Sequence, residues 1–334
     1  MPTFFESGVF GKNTPAWHGE GRVVEGTFSL DEALKMGGLD WEVEKRPLYI
    51  KDKQNRDVVV PNAYSVTRIN DDSPMGNPVG PDYQPIQNRT AFSALEIPLA
   101  DRICRWETAI SVRGGATIAG IVSLPDSQVE IVKGDVHYQY LTVINTHDGQ
   151  GTMKIFPTDV RVVCANTVRV ALNGRDKALT MNIRHTGDTL AKVREMSSII
   201  ATSRSDYAQF VKWQQQLAET EAPRSRVEGL FAELFPMSQD SDRAKTIRDN
   251  KIASLLTDIQ ADKLLLPQYT LTGGMSAYDI FNGVTHWVDH TVSQKKDEAG
   301  AYALVGGGND FKSKAAVLIA QIFDVPLLKP VHAA

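Results

Sequence analysis

Cysteine is scarce in this chain. Cys104 and Cys164 are the only two among 334 residues, which excludes a disulfide scaffold. Both sit beside apolar residues, so burial as small hydrophobes outweighs reactivity. Long apolar runs are missing as well. None approaches the ~18 residues of a membrane span, so no membrane partner is expected. The opening MPTFFESGVF has no basic stretch feeding a long apolar one, so no secretion signal is expected and the location reads as cytoplasmic. Charge of one sign is also absent. Lys and Arg number 36 against 40 Asp and Glu, for a net −4. That balance excludes coating nucleic acid by bulk charge but leaves room for a local basic groove. There is no internal repeat and no low-complexity tract.

Familiar site signatures are missing too. His286-Trp287-Val288-Asp289-His290 has two histidines four apart on a helix, but no glutamate follows the first, so the zinc-hydrolase pattern fails. The pair points away from the apolar stripe of its helix and is expected to face solvent or another subunit. Gly306-Gly307-Gly308 lacks a preceding strand and a following Lys-Ser/Thr, so it reads as a flexible turn, not a phosphate loop. No dense carboxylate or Cys/His array is present. No cofactor and no metal are expected.

What is present is a sizeable core. Hydrophobic residues make up 42% of the chain, and the length fits about two domains. Residues 1–27 read as an irregular arm docked through Phe4, Phe5 and Trp17. A short helix opens at Ser29, with Glu32 at capping-box spacing, and Gly37-Gly38 ends it. Residues 41–61 predict a hairpin, 63–69 a strand, and 70–81 a loop rich in Gly, Pro, Asn and Asp. A helix is predicted over 89–100. Strands follow at 104–113, 116–124, 129–132, 138–145, 154–156, 160–164 and 179–184, with a short helix at 167–172. From Asp188 the apolar spacing turns helical. Pro223 breaks that run, and helices are expected near 224–235, 241–264, 276–293 and 311–324. Ser276 and Asp279 form a second capping-box spacing. The prediction is an α+β fold: a mostly antiparallel sheet with packed helices over 1–187, then a helical region over 188–334.

Three polar signatures sit on strand ends: Thr146-His147-Asp148-Gly149, Cys164-Ala165-Asn166-Thr167 and Arg184-His185-Thr186-Gly187. Asp148-Gly149 is a common turn pair, and Asn166-Thr167 suits a helix cap. Neither explanation covers His147, Arg161, Arg184 or His185. Thr186 or Asp188 can cap the following helix, and helix N-termini attract anions. From Val160 to Glu195 seven basic residues face three acidic ones, a basic segment in an acidic protein. A solvated helix face explains those charges nearly as well.

The ordered motifs Pro15-Ala16-Trp17-His18-Gly19, Gly38-Leu39-Asp40-Trp41-Glu42-Val43, Tyr83-Gln84-Pro85-Ile86-Gln87-Asn88, Glu107-Thr108-Ala109, the three strand-end signatures and Phe281-Asn282-Gly283-Val284-Thr285-His286-Trp287-Val288-Asp289-His290 resemble the phage/plasmid-like "domain of unknown function 932" family across nearly the whole chain. The layout is more distantly similar to phage single-strand annealing proteins, a fold-level analogy. That resemblance implies a bacterial host cell and a non-catalytic homo-oligomer, ring or filament, that binds and anneals single-stranded DNA in recombination. Tyr83, Gln87, Asn88, Arg113, His147, Arg161, Arg184 and His185 would then line the backbone groove. Two alternatives stand beside it: a nuclease or other hydrolase using His147, Asp148 and His185, and a structural or host-interaction protein.

Overall fold

The computed structural model describes residues 5–11, 22–25, 28–95, 105–124, 128–161, 166–169, 181–188, 191, 193, 199–237, 241–264, 274–292 and 307–326. Cys104, Cys164, Trp17 and His18 lie outside them. The fold is α+β, with antiparallel strands first and helices in the C-terminal part. The chain divides into two compact units, each assembled from separate stretches. Unit 1 holds residues 1–125, 140–156 and 180–201, and unit 2 holds 126–139, 157–179 and 202–334. The boundary is therefore not a single point near 187. Strand residues at 129–132, 135–139, 157–161 and 166–169 fall in the unit that holds the later helices.

In unit 1, β1 (Phe5–Gly11) pairs antiparallel with β5 (Arg105–Val112) and parallel with β2 (Arg22–Val24). The expected irregular arm thus contains a sheet strand, because residues Phe5 to Phe10 satisfy their backbone groups on β5. β5 runs antiparallel to β6 (Thr117–Ser123), which pairs with the later part of β8 (Asp135–Thr146). A separate ribbon joins β3 (Val43–Lys51) to β4 (Asp57–Arg68). Helix α1 (Leu30–Met36) starts at the predicted capping box: Glu32 N–H reaches Ser29 Oγ at 3.3 Å and Ser29 N–H reaches the Glu32 carboxylate at 2.8 Å. Helix α2 spans Asn88–Ser93, shorter than the run expected to 100. The core gathers Leu34, Leu39, Phe92, Trp106, Ile118 and Val143.

In unit 2, β7 (Val129–Val132) pairs with the opening residues of β8. The segment predicted at 154–156 and the first two residues of the one predicted at 160–164 join into one strand, β9 (Met153–Arg161), and 162–164 lie outside the described residues. Its last residues pair with β10 (Asn166–Arg169). That corrects the predicted helix at 167–172 and the helix-cap role for Asn166, since a ladder partner overrides weak local propensity. β11 (Met181–Ile183) pairs with the start of β9, within unit 1. The helices are α3 (Ile199–Glu219), α4 (Arg224–Leu234), α5 (Asp242–Leu264), α6 (Ala277–His286) and α7 (Gly307–Ile322). Pro223 does end the preceding run and caps α4. Gly307 and Gly308 are helical, not a turn. A π-helical turn, Trp287–Val292, continues α6.

Ser276 and Asp279 form the second capping box, at 3.1 and 2.8 Å. Helices α5 and α6 cross closely because Gly283 has no side chain: a Cβ there would lie 2.2 Å from Ile259 Cγ1 and 2.7 Å from Ile259 Cα. Backbone cannot yield as a rotamer can. Gly283→Ala is expected to lower the unfolding free energy by about 1–3 kcal/mol, read from denaturant unfolding of the purified variant. A change within error of zero would mean that the crossing is looser than this.

Candidate functional site: a buried imidazole cluster

The strand-end residues do come together, in unit 1. His147 follows directly on β8, and its backbone N–H is held by Ala116 O at 2.8 Å. Its side chain has 0% exposure. Nε2 lies 2.8 Å from Asn88 Oδ1. Asn88 donates its Nδ2 protons to Leu39 O at 2.9 Å and Trp41 O at 3.2 Å, so its oxygen faces the histidine as an acceptor. That network assigns the proton to Nε2 and leaves Nδ1 as a buried lone pair with no hydrogen-bond partner. Burial, then the charges of His185 and Arg68, pull this imidazole from the ordinary 6.5 down to about 3. It is neutral at physiological pH.

His185 is buried and stacked on Tyr83, with ring centroids 4.9 Å apart and planes 7° from parallel. Its carbonyl accepts Gln84 N–H at 2.7 Å, which ties the two segments. Neither ring nitrogen has a hydrogen-bond partner. Burial holds its pKa below the usual histidine value. Burial also raises the Tyr83 phenol, helped by the Asp148 carboxylate. The Tyr83 hydroxyl donates to Thr146 O at 3.4 Å.

Asp148 folds back on its own turn. Oδ1 accepts Gln150 N–H at 3.0 Å, and Gly149 takes φ +73°, the turn chemistry expected of Asp-Gly. Oδ2 meets Arg113 Nη1 at 3.3 Å. Gly76 lies against Asp148, where a Cβ would come 2.7 Å from its Cα. Arg113 itself sits at the β5–β6 turn with φ +58°.

The remaining predicted residues separate. Gln87 spends its amide on the backbone of Val43, at 3.0 and 2.8 Å. Lining a phosphate groove does not fit that placement, nor the interior positions of Asn88 and His147: Gln87 and Asn88 hold the backbone of their neighbours, and His147 is held by the Asn88 side chain. Arg184 is exposed. Arg161 ends β9 in unit 2, and its side chain lies outside the described residues. His286, expected to face solvent or another subunit, is partly buried and directs Nδ1 to Asp258 on α5 at 2.7 Å, with the His290 ring centroid 4.6 Å from its own. Among the described residues, no group of three or more His, Cys, Asp or Glu side chains is placed to hold a metal ion.

A family model described as Domain of unknown function (DUF932) matches residues 77–305 of the chain. The chain belongs to this DUF932 family. No curated protein and no solved structure matches it. The matched region takes in Tyr83, Asn88, Arg113, His147, Asp148 and His185. It leaves out two residues of the same cluster: Trp41, named in the sequence only as part of a family motif, and Arg68, which the sequence did not single out. The Arg68 guanidinium lies 4.3 Å from the Trp41 ring centroid, pairs with Glu6 at 2.8 Å and donates to Gly114 O at 3.1 Å. Trp41 in turn meets His147 edge-on at 5.4 Å.

This DUF932 member carries a second polar cluster, in unit 2, that the sequence reading missed. His137 Nδ1 lies 2.7 Å from Asp159 Oδ2, and Nε2 lies 2.9 Å from the Tyr278 hydroxyl. That hydroxyl donates to Asp135 Oδ2 at 2.8 Å. His137, Asp135, Asp159 and Tyr278 are all buried. Desolvation pulls His137 down, but the Asp159 and Asp135 carboxylates outweigh it and raise the imidazole to about 9. The signal was present: Asp135, His137 and Gln139 alternate along β8. Their face is the buried one, while Val136, Tyr138 and Tyr140 are only partly covered. Polar residues at period two on a buried face invert the usual strand pattern, so apolarity alone points to the wrong side.

Proposed function

We propose that this protein binds single-stranded DNA through backbone contacts, assembles as a homo-oligomer and anneals complementary strands without catalysis. The observation that carries this reading is the division within the strand-end cluster. Its imidazoles and amides are turned inward and neutral, whereas Arg184 faces solvent with no ion pair among the described residues. A cation without a carboxylate partner suits phosphate, and a histidine at 0% exposure suits no substrate. Arg113 is partly exposed and pairs with Asp148, which moderates its charge.

The protein is expected to bind a labelled oligothymidine tightly at about 50 mM salt and to weaken steeply toward about 200 mM, as counterion release requires. Its particle size is expected to grow when the strand is added. No binding at the low-salt end sinks the reading. One observation favours the hydrolase alternative: Nδ1 of His147 and both nitrogens of His185 are buried without protein partners. Strand cleavage that His147→Gln abolishes, on a variant still folded, would move the assignment there.

A further inference from the structure

Helix α5 has two unlike halves. From Leu255 onward it buries Leu255, Asp258, Ile259 and Asp262. From Asp242 to Lys251 no residue is buried. A helix half with no packed face draws little stability from tertiary contacts, so its persistence rests on local terms. Ser241 supplies one, accepting Ala244 N–H on Oγ at 3.2 Å. Thr246 and Ala244 lie along the same stretch without burying anything.

Three of the four cations there, Arg243, Arg248 and Lys251, fall on one side of the helix, while Lys245 lies on the other side, near Asp249. Arg243, Ile247 and Lys251 stand at i, i+4 and i+8, one ridge of the helix, with Arg248 beside them. Asp242 and Asp249 fall on the far side of the wheel. Ile247 is 47% exposed in the middle of the three cations. Arg243, Arg248 and Lys251 make no ion pair among the described residues, although Lys51, Arg56, Arg224 and Arg226 on other surfaces all do. Arg248 is half-buried, and its Nε is shielded without a hydrogen-bond partner. The ridge from Arg243 to Lys251 is about 12 Å long, enough to follow several charges of a polymer but too long for one small anion.

We propose that the exposed first half of α5 is a contact surface for the phosphate backbone of a nucleic acid. Repeated negative charge matches the ridge, and arginine forks suit phosphate oxygens. The exposed isoleucine between the cations would meet sugar or base, the apolar parts of the same polymer. The site consists of side chains and not of the helix N-terminus, whose amides Ser241 partly satisfies. This inference rests on the nucleic-acid reading above, but it places the contact in unit 2 instead of at the strand ends.

The test compares the wild-type full chain with the variant Arg243→Gln/Arg248→Gln/Lys251→Gln, using a labelled oligothymidine and a labelled duplex over a salt series. Each phosphate contact contributes a slope of about 0.7 in log K against log salt on single strands, so the triple variant is expected to lose about 2 from that slope. Arg243→Gln/Lys251→Gln changes only exposed positions and is expected to lose about 1.4; it keeps the test sound if the half-buried Arg248 matters to folding. Arg224→Gln, an exposed cation already paired with Glu228, is expected to leave the slope unchanged. Wild-type binding with an unaltered slope in both α5 variants overturns this inference and leaves the strand-binding reading in place. Binding of duplex alone, weakened in the variants, overturns the single-strand reading and upholds this one. Binding of neither probe by the wild type overturns both.

Discussion

Replacing His137 with alanine is expected to destabilise unit 2 by about 3–5 kcal/mol, the usual cost of removing one partner from a buried charged network. The substitution leaves Asp135 and Asp159 facing each other's charge, without the imidazolium that both carboxylates contact at 3.6 and 2.7 Å. It also strands the Tyr278 hydroxyl from one of its partners. The pH dependence has a definite sign. The folded-state value is raised to about 9 from the ordinary 6.5, so the folded form holds a proton that the unfolded form releases. The contribution is fully present below pH 6.5 and is lost as pH rises through about 9. The shift corresponds to about 3 kcal/mol. Hydrogen exchange at β8 and α6 amides, followed from pH 6.5 to 9, should show the wild type weakening and His137→Ala flat. Parallel slopes in the two proteins would mean that the imidazole does not carry the proton.

The second large effect has the opposite sign and belongs to unit 1. His147 is depressed to about 3, so the unfolded chain takes up a proton that the folded chain refuses. Its contribution is fully present above pH 6.5 and is lost as pH falls toward about 3. The span corresponds to something on the order of 5 kcal/mol. His185, also lowered by burial, adds in the same direction. Acid unfolding of unit 1 is therefore expected to begin just below pH 6.5, with amides of β6 and α2 exchanging first. His147→Gln keeps a donor for Asn88 Oδ1 while removing the titration, so its stability should fall less between pH 6 and 4 than that of the wild type. Equal acid sensitivity in both proteins would show that another group controls the transition. The two histidines set opposite pH limits on one chain: burial, with His185 and Arg68 nearby, keeps one neutral, and two carboxylates keep the other charged.

Local signals were reliable where the cause is local. Both capping boxes form at Ser29–Glu32 and Ser276–Asp279, because a side-chain oxygen three residues from its partner amide needs no distant help. Pro223 stops a helix for an equally local reason. The candidate site was legible only in part. Asp148-Gly149 does the turn work expected of it, and His147, His185 and Tyr83 do gather. Their accessibility was not legible, since burial depends on what covers a residue: Trp41, Arg68 and Asn88 arrive from 59 to 106 positions away in the chain to surround His147.

By itself the sequence determined the α+β class, the helices after residue 199, the two capping boxes and the family. Each of these follows from spacing along the chain or from ordered motifs. Tertiary structure alone decided three things. It turned residues 166–169 into a strand by giving them β9 as a ladder partner. It buried the Asp135–His137–Gln139 face of β8, because Asp159 and Tyr278 supply the hydrogen bonds that make such burial tolerable. And it turned the strand-end imidazoles inward, so that what promised an open anion site became a buried, neutral cluster. Burial and partnership are properties of neighbours, and neighbours are set by the fold, not by order along the chain.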